Sequence, residues 1–339
     1  MFLAREGDFI ETVDGLIFDV KGLVHPQGRV IAYIRYHPNP RGDRVRNGAR
    51  YSKIYSLKER DFLIERKYPQ YRFLDPIFGD YIEEVPVNMI TKHYKPGDKL
   101  RELRKGLLKD ETEKLALELA DLLKVHSGIR YCQMGISGSI LLGLHGKHSD
   151  LDIIVYGTDA CTSIYKALAD LFQIKDSPIK PYSVSGLRKL HKFRSKDTRI
   201  PLTIFMQMER RKRLQGTFKG RDYFIRFVKG WNEVSEKYGD KKYTSIGYSK
   251  IKAKVIDDSN GVFTPCSYLI SQVEVLSGTP ISSIKEVASF RGRFCEQAKV
   301  NEWIVAQGKL EKVTPRDGDE YFRLLLGGLP TDFMMVVKN

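Results

Sequence analysis

The chain reads as an α+β protein, and three observations predict that class. Up to about residue 95, runs of β-branched and aromatic residues alternate with turn signals. From 96 to 235, amphipathic helical patterns alternate with short apolar runs. From about residue 240 the β texture returns. These textures predict a mainly-β domain over 1–95, a mixed sheet with helices over 96–235 and a β-barrel-like domain over 236–339. A length of 339 residues suits two or three domains at the usual ~100–200 residues each. A hydrophobic content of 42% is ample for their cores.

The elements follow in order. Leu16–Val24 and Arg29–Tyr36 flank His25-Pro26-Gln27-Gly28 and predict a hairpin with a four-residue connection. His37–Asp43 is a loop by composition, and Tyr51–Tyr55 reads as a third strand. Lys95-Pro96-Gly97-Asp98 marks a break. The box Asp110 to Glu113 starts a helix carrying Leu115, Leu119, Leu122 and Leu123 at helical spacing. Arg130–Met134 reads as a strand, Ser137–Leu144 as a short helix, and Thr158-Asp159 opens a helix with Ile164, Leu168 and Leu171. Leu202–Met206 and Tyr223–Val228 both read as strands. Lys252–Ile256, Trp303–Val313 and Tyr321–Gly327, with turn signals between them, predict a small barrel or sandwich.

The densest chemistry lies in 135–157. A Gly138-Ser139 step opens an apolar stretch, and Asp150-Leu151-Asp152 heads the run Ile153–Tyr156. Side chains at i and i+2 of a strand share a face, so both carboxylates project together. Paired carboxylates repel unless a cation sits between them. Hard ions such as Mg²⁺ or Mn²⁺ take such oxygens and keep waters and substrate phosphates as further ligands. Backbone N–H groups at a glycine turn suit an anion.

This segment resembles the signature of the DNA polymerase β-like nucleotidyltransferase superfamily, a Gly-Ser turn and helix followed by Asp-hydrophobic-Asp on a strand. The resemblance implies a nucleotidyltransferase core over 96–235, flanked by the two mainly-β domains. It implies a nucleoside triphosphate held at Gly138 and Ser139. It also implies Mg²⁺ or Mn²⁺ on Asp150 and Asp152, and transfer of a nucleoside monophosphate to an acceptor hydroxyl. Members of that superfamily carry a third carboxylate on a neighbouring strand, as metal ligand and base. Here the expected strand, Pro201–Phe205, has Thr203 in its middle, which cannot act as a base at neutral pH. Asp222, at the entry to Tyr223–Val228, is the substitute candidate, and Glu209 is a second one. Lack of a third carboxylate would threaten a two-metal displacement. The competing expectation is therefore a nucleic-acid-binding protein that keeps the fold without catalysis. The chain as a whole also resembles an uncharacterised group of archaeal predicted nucleotidyltransferases, through Gly135–Ile140, Tyr223–Val228 and Ala288–Phe294.

Net charge is +15, which favours a polyanionic partner, RNA first and tRNA among the candidates. The cations expected to contact it are Arg188, Lys189 and Lys192; then Arg210, Arg211, Lys212 and Arg213, with Lys219 and Arg221; and, in the C-terminal β region, Arg291 and Arg293. Solvated faces, or a heat-adapted surface, are the plainer explanation of such clusters. A small-molecule or protein acceptor is the remaining alternative. Cys132, Cys161, Cys266 and Cys295 lack metal or disulfide spacing and read as reduced thiols. No apolar run reaches the ~20 residues of a membrane helix, and the first residues lack a signal-peptide pattern, so the expected location is cytoplasmic.

Overall fold

The computed structural model describes residues 2–338. Strands β1 (Phe9–Thr12), β2 (Ile17–Val20), β3 (Arg29–Pro38), β4 (Arg44–Arg46) and β5 (Ala49–Lys53) precede helix α1 (Leu57–Lys67), β6 (Arg72–Asp75), β7 (Asp80–Pro86) and β8 (Ile90–Tyr94). Next come α2 (Pro96–Arg104), α3 (Glu111–Ser127), β9 (Met134–Ile136), α4 (Gly138–Leu142), β10 (Leu151–Tyr156), α5 (Thr158–Gln173) and β11 (Ile179–Lys180). They are followed by α6 (Val184–Arg194), α7 (Leu202–Glu209), β12 (Gln215–Phe218) and β13 (Arg221–Val228). The last stretch holds β14 (Lys241–Asp257), β15 (Cys266–Gly278), β16 (Ile284–Ser289), β17 (Trp303–Pro315), β18 (Tyr321–Leu326) and β19 (Phe333–Val337). The class is α+β, as the sequence predicts. Among the described residues no helix is long and apolar enough to cross a membrane.

These elements form two compact units rather than three consecutive segments. One holds the chain up to Tyr55, Glu83–Tyr182 and Arg213–Ser235; the other holds Ser56–Ile82, Ser183–Lys212 and the chain from Glu236 on. The first unit contains both the N-terminal sheet and the mixed sheet.

In the first unit the antiparallel sheet runs β4-β5-β3-β2-β1-β8, and the end of β7 pairs with β3 from Glu84 to Pro86. The expected hairpin is β2–β3, with Phe18 opposite Ile34 and Val20 opposite Ala32. Its connection is longer than four residues, because Gly22 takes φ +71° and turns the chain off the ladder. The mixed sheet runs β11-β12-β13-β10-β9, with β10 parallel to β13 and antiparallel to β9. β10 is buried on both faces, as an inner strand with apolar neighbours should be, except at Asp152. Helices α3 and α5 pack on it through Leu115, Leu119, Leu123, Ile164, Leu168 and Leu171, the residues that set their helical period. Asp110 caps α3 by accepting from the N–H groups of Thr112 and Glu113 at 2.9 and 3.0 Å.

In the second unit β14-β15-β16-β18-β17 closes through a β14–β17 ladder, and β19 adds to β17. Ile251, Ala253, Val255, Tyr268, Val287, Phe294, Leu310 and Leu324 fill this barrel. The expected strand over Leu202–Met206 is instead helix α7. Phe205 and Met208, with Ile204, follow helical spacing and bury against Leu190 of α6 and Phe333 and Met335 of β19. A short apolar run does not distinguish strand from helix by period, and here burial on one stripe decides it. Thr203 is therefore not on a strand beside Asp150-Leu151-Asp152.

Glu209 closes α7 at 3% exposure and is bound by Lys212 at 2.8 Å and Arg194 at 2.9 Å. Removing its charge leaves Lys212, itself 2% exposed, without its partner carboxylate. Glu209→Gln is expected to lower stability by about 3–5 kcal/mol in equilibrium urea denaturation. A loss under about 1 kcal/mol would give the pair only the value of a surface ion pair.

Candidate functional site

The site grows from the turn between β9 and α4. Ser137 donates its N–H to the Asp152 carbonyl at 2.9 Å and its hydroxyl to the Gly7 carbonyl at 2.7 Å, which fixes the turn beside β10. Gly138 then takes φ +61°, a conformation that L side chains rarely adopt. A Cβ at this position would lie 1.9 Å from Asp152 Oδ2. The carboxylate thus rests against bare glycine backbone, and turn and strand make one cradle. Ser139 is buried just behind it at 5% exposure. Gly143, at φ +65°, ends α4, and the Leu144 N–H returns to the Ser139 carbonyl at 2.9 Å.

Asp150 is exposed at the head of β10 and Asp152 is half-buried two residues on. Strand alternation puts both on one face. Neither carboxylate makes a hydrogen bond, or an ion pair within 4.0 Å, among the described residues. Protein flanks the recess and thins the water around both groups. Burial, with the Asp150 charge adding to it, pushes Asp152 up to about 6 against the pull of Lys53, Arg226 and Arg35. Burial also raises Asp150, opposed by Lys53, Arg221, Arg35 and Arg44.

The neighbouring strand is β13, with Phe224 opposite Asp152. Asp222 and Arg226 lie two positions to either side of Phe224 and share its face. Asp222 therefore stands at the same end and on the same face of the sheet as Asp150, and it is exposed. Among the described residues, no three His, Cys, Asp or Glu side chains are gathered closely enough to hold a metal ion. The Asp150–Asp152 pair still fits a hard divalent cation. It offers two unpaired carboxylates, and Mg²⁺ commonly takes one or two from protein.

The N-terminal sheet supplies a group that sequence reasoning missed. Lys53, at the end of β5, faces the carboxylates with Arg35 of β3 and Arg44 of β4. Its ammonium lies 5.8 and 5.4 Å from the ring centres of Tyr36 and Tyr55 and has no hydrogen bond or ion pair within the described residues. Burial lowers Lys53 to about 8, reinforced by the Arg35 charge and opposed by Asp152 and Asp150. Burial also raises the Tyr36 hydroxyl. No motif in 29–55 flags these residues, which stand about a hundred positions before the aspartates.

The expected RNA contacts separate into two kinds. Arg188, Lys189 and Lys192 are exposed on α6, and Arg210 is exposed after α7. The others make internal bonds. Arg221 donates to the Lys147 carbonyl at 2.5 Å and the Ser149 carbonyl at 3.3 Å, so it fixes the loop that delivers Asp150. Arg211 forks onto Glu302 and also reaches the Gln297 carbonyl. Lys212 is buried against Glu209 and Gln297. Arg213 lies over Tyr165, and Lys219 pairs with Glu118 at 2.8 Å. Arg291 and Arg293 both reach Asp197, and Arg293 also bonds Thr198. Glu209, the second base candidate, is held by Arg194 and Lys212 in the second unit, whereas the aspartates lie in the first.

Comparison with known proteins gives one clear similarity. The chain is 32% identical to "Uncharacterized protein MJ1086" of Methanocaldococcus jannaschii, over 347 aligned positions that cover 98% of each chain. No family model matches the chain. No solved structure matches it.

Two outcomes follow from the cradle. A raised Asp152 favours the folded state at low pH, and that stabilisation is lost as pH rises from the usual carboxylate range through about 6. In chelator-treated buffer Asp152→Asn should therefore melt above the native protein at pH 8 and lose that advantage by pH 4. A melting difference independent of pH would contradict the shifted carboxylate. Gly138→Ala must move Asp152 and hold alanine at a left-handed φ, so it is expected to cost more than about 1 kcal/mol in the same measurement. An unchanged melting temperature would mean that the turn relaxes freely.

Proposed function

The chain belongs to the family of the archaeal protein MJ1086, and we propose that it is a Mg²⁺- or Mn²⁺-dependent nucleotidyltransferase with a polymerase β-like core. It moves a nucleoside monophosphate from a nucleoside triphosphate to an acceptor hydroxyl on RNA. The observation that carries this reading is the seating of Asp152 on the bare backbone of Gly138, which joins the phosphate-type turn to the Asp150–Asp152 pair.

In this reading Asp150 and Asp152 hold the divalent ion, which when bound supplies Lewis-acid activation of the α-phosphate. Gly138 and Ser139 bind the triphosphate through the turn. Lys53, Arg35 and Arg44 neutralise phosphate charge from the opposite wall, where the unpaired ammonium of Lys53 has no competing carboxylate within 4.0 Å. Asp222, on the face of β13 next to the pair, takes the proton of the acceptor hydroxyl. Arg221 keeps the loop before Asp150 in place. A protein of this fold that binds nucleic acid without transferring nucleotides is the second reading. It is favoured by the lack, among the described residues, of a third carboxylate gathered with the pair. Transfer to a small molecule or to protein uses the same residues and differs only in the acceptor.

Incubation of the full chain with Mn²⁺ or Mg²⁺, each α-labelled nucleoside triphosphate and total RNA should label the RNA. Asp152→Asn should reduce labelling on the order of a hundredfold or more. Lys53→Met should weaken triphosphate binding about tenfold, roughly 1.4 kcal/mol, in calorimetry. Label on protein or on a small molecule would change the acceptor. No labelling under any triphosphate, with RNA binding retained, would favour the second reading.

A further inference from the structure

The C-terminal barrel carries a row of cations that the site described above does not use. Lys250, Lys252 and Lys254 alternate along β14 with the buried Ile251, Ala253 and Val255, so all three point outward. Side chains two apart on a strand are roughly 6.8 Å apart, which makes a regular ladder of positive charge. Register places Gln307, Val305 and Trp303 of β17 opposite them, and Phe333 of β19 opposite Gln307. Lys252 lies 5.0 Å from the Trp303 ring centre and Lys250 lies 5.9 Å from that of Phe333.

Pairing separates these lysines from some of their neighbours, though not from Lys242 of β14 or Lys285 of β16, which likewise have no ion pair within 4.0 Å among the described residues; what distinguishes the three is their regular spacing. Elsewhere on the same barrel Lys241 is bound to Glu236, Lys309 to Asp80 and Glu311, and Lys312 to Glu320. Lys250, Lys252 and Lys254 have no ion pair within 4.0 Å among the described residues, although Glu274 stands opposite Lys252 in register. β14 is an inner strand, so the lysines do not serve to guard a sheet edge. Helix α7 packs against β19 at the border of this face, and α6 packs on α7.

We propose that this outer face, with Lys250, Lys252, Lys254 and Trp303, binds a single strand of RNA, the lysines taking successive phosphates and Trp303 a base, while Phe333 marks the border where α7 covers β19. A periodic row of unpaired ammonium groups suits a repeating anion better than a single one. The flat ring of Trp303 beside the cations suits a base, which stacks whatever its sequence. An acidic peptide would use the lysines and leave Trp303 without a role. Only the choice of RNA over DNA rests on the transferase reading; the surface itself does not.

Fluorescence anisotropy of a labelled oligouridylate with the full chain tests this. Replacing the three lysines by serine should weaken binding at least tenfold and flatten the slope of log K against log salt by about 2, from about 0.7 per phosphate contact. Trp303→Ser should weaken binding about tenfold, while Trp303→Phe should keep most of it. The chain has two tryptophans, so a Trp231→Phe background isolates Trp303, whose emission the oligonucleotide should quench. Oligouridylate binding retained where no triphosphate labels RNA would sink the transferase reading and leave this surface standing, which separates the two failures. The proposal is overturned if the native chain does not bind oligouridylate at low salt, or if the triple variant keeps both affinity and slope. Equal binding of oligothymidylate would overturn the choice of RNA. Equal competition by polyglutamate would overturn recognition of nucleic acid altogether.

Discussion

The carboxylate of Asp152 rests against the backbone of Gly138, in the space that a side chain at 138 would need. With Oδ2 only 1.9 Å from where a Cβ would stand, any side chain at residue 138 would have to push the Asp152 carboxylate aside, and the φ of +61° adds backbone strain to that cost. Three other features depend on this contact. The Ser137 N–H bond to the Asp152 carbonyl registers the turn against β10. The short helix α4 starts where the turn leaves it, and the loop from Gly143 to Ser149 must return within a few residues to begin β10. Arg221 and Arg44 then hold that loop by its carbonyls and by Ser149, so the position of Asp150 is set by cations that bond to the loop as well as to its charge.

Placing two carboxylates in a recess is costly, and the protein meets that cost with charge at a distance rather than with ion pairs. Burial and mutual repulsion raise Asp152, while Lys53, Arg35 and Arg226 pull the other way from beyond 4 Å. Arg226 is itself bound to the fully buried Glu6 at 2.6 Å, so part of its field is already taken up. The result leaves anionic oxygens and a cationic wall facing each other without closing on one another. A direct salt bridge would have satisfied both sides and blocked the recess. Held apart, the carboxylate oxygens and the Lys53 ammonium make no hydrogen bond or ion pair among the described residues, and the metal-bound phosphate of the proposed function has that charge pattern.

Much of this was legible in the sequence because it is local. The Gly-Ser step, the aspartate pair on one strand face, the capped helix α3 and the leucine stripes of α3 and α5 all follow from spacing within a few residues. The barrel was legible for the same reason, since β14 alternates apolar and polar residues along its inner and outer faces. Three things were not. Leu202–Met206 reads equally as strand or helix until its neighbours are known, and Leu190, Phe333 and Met335 supply the stripe that makes it α7. Lys53, Arg35 and Arg44 join the site through sheet topology, with no pattern of their own. The grouping of 56–82 and 183–212 with the C-terminal barrel depends on packing between segments far apart in the chain.

Net charge shows the same limit from another side. A surplus of +15 is a property of the whole chain, but only cations without internal partners can engage an external anion. Sequence clustering pointed to 210–221 and to Arg291 and Arg293. In the fold most of these groups brace the protein: Arg211 ties Glu302, Lys212 is buried against Glu209, and Arg291 and Arg293 hold Asp197. A dense run of arginines near buried acids is spent on packing because such acids must be paired. Lys250, Lys252 and Lys254 of β14 give no cluster signal, since apolar residues separate them, yet they stand unpaired in a regular row. For a basic protein of this kind, the spacing of cations along a strand and their freedom from ion pairs are better guides to an anionic partner than the local density of charge.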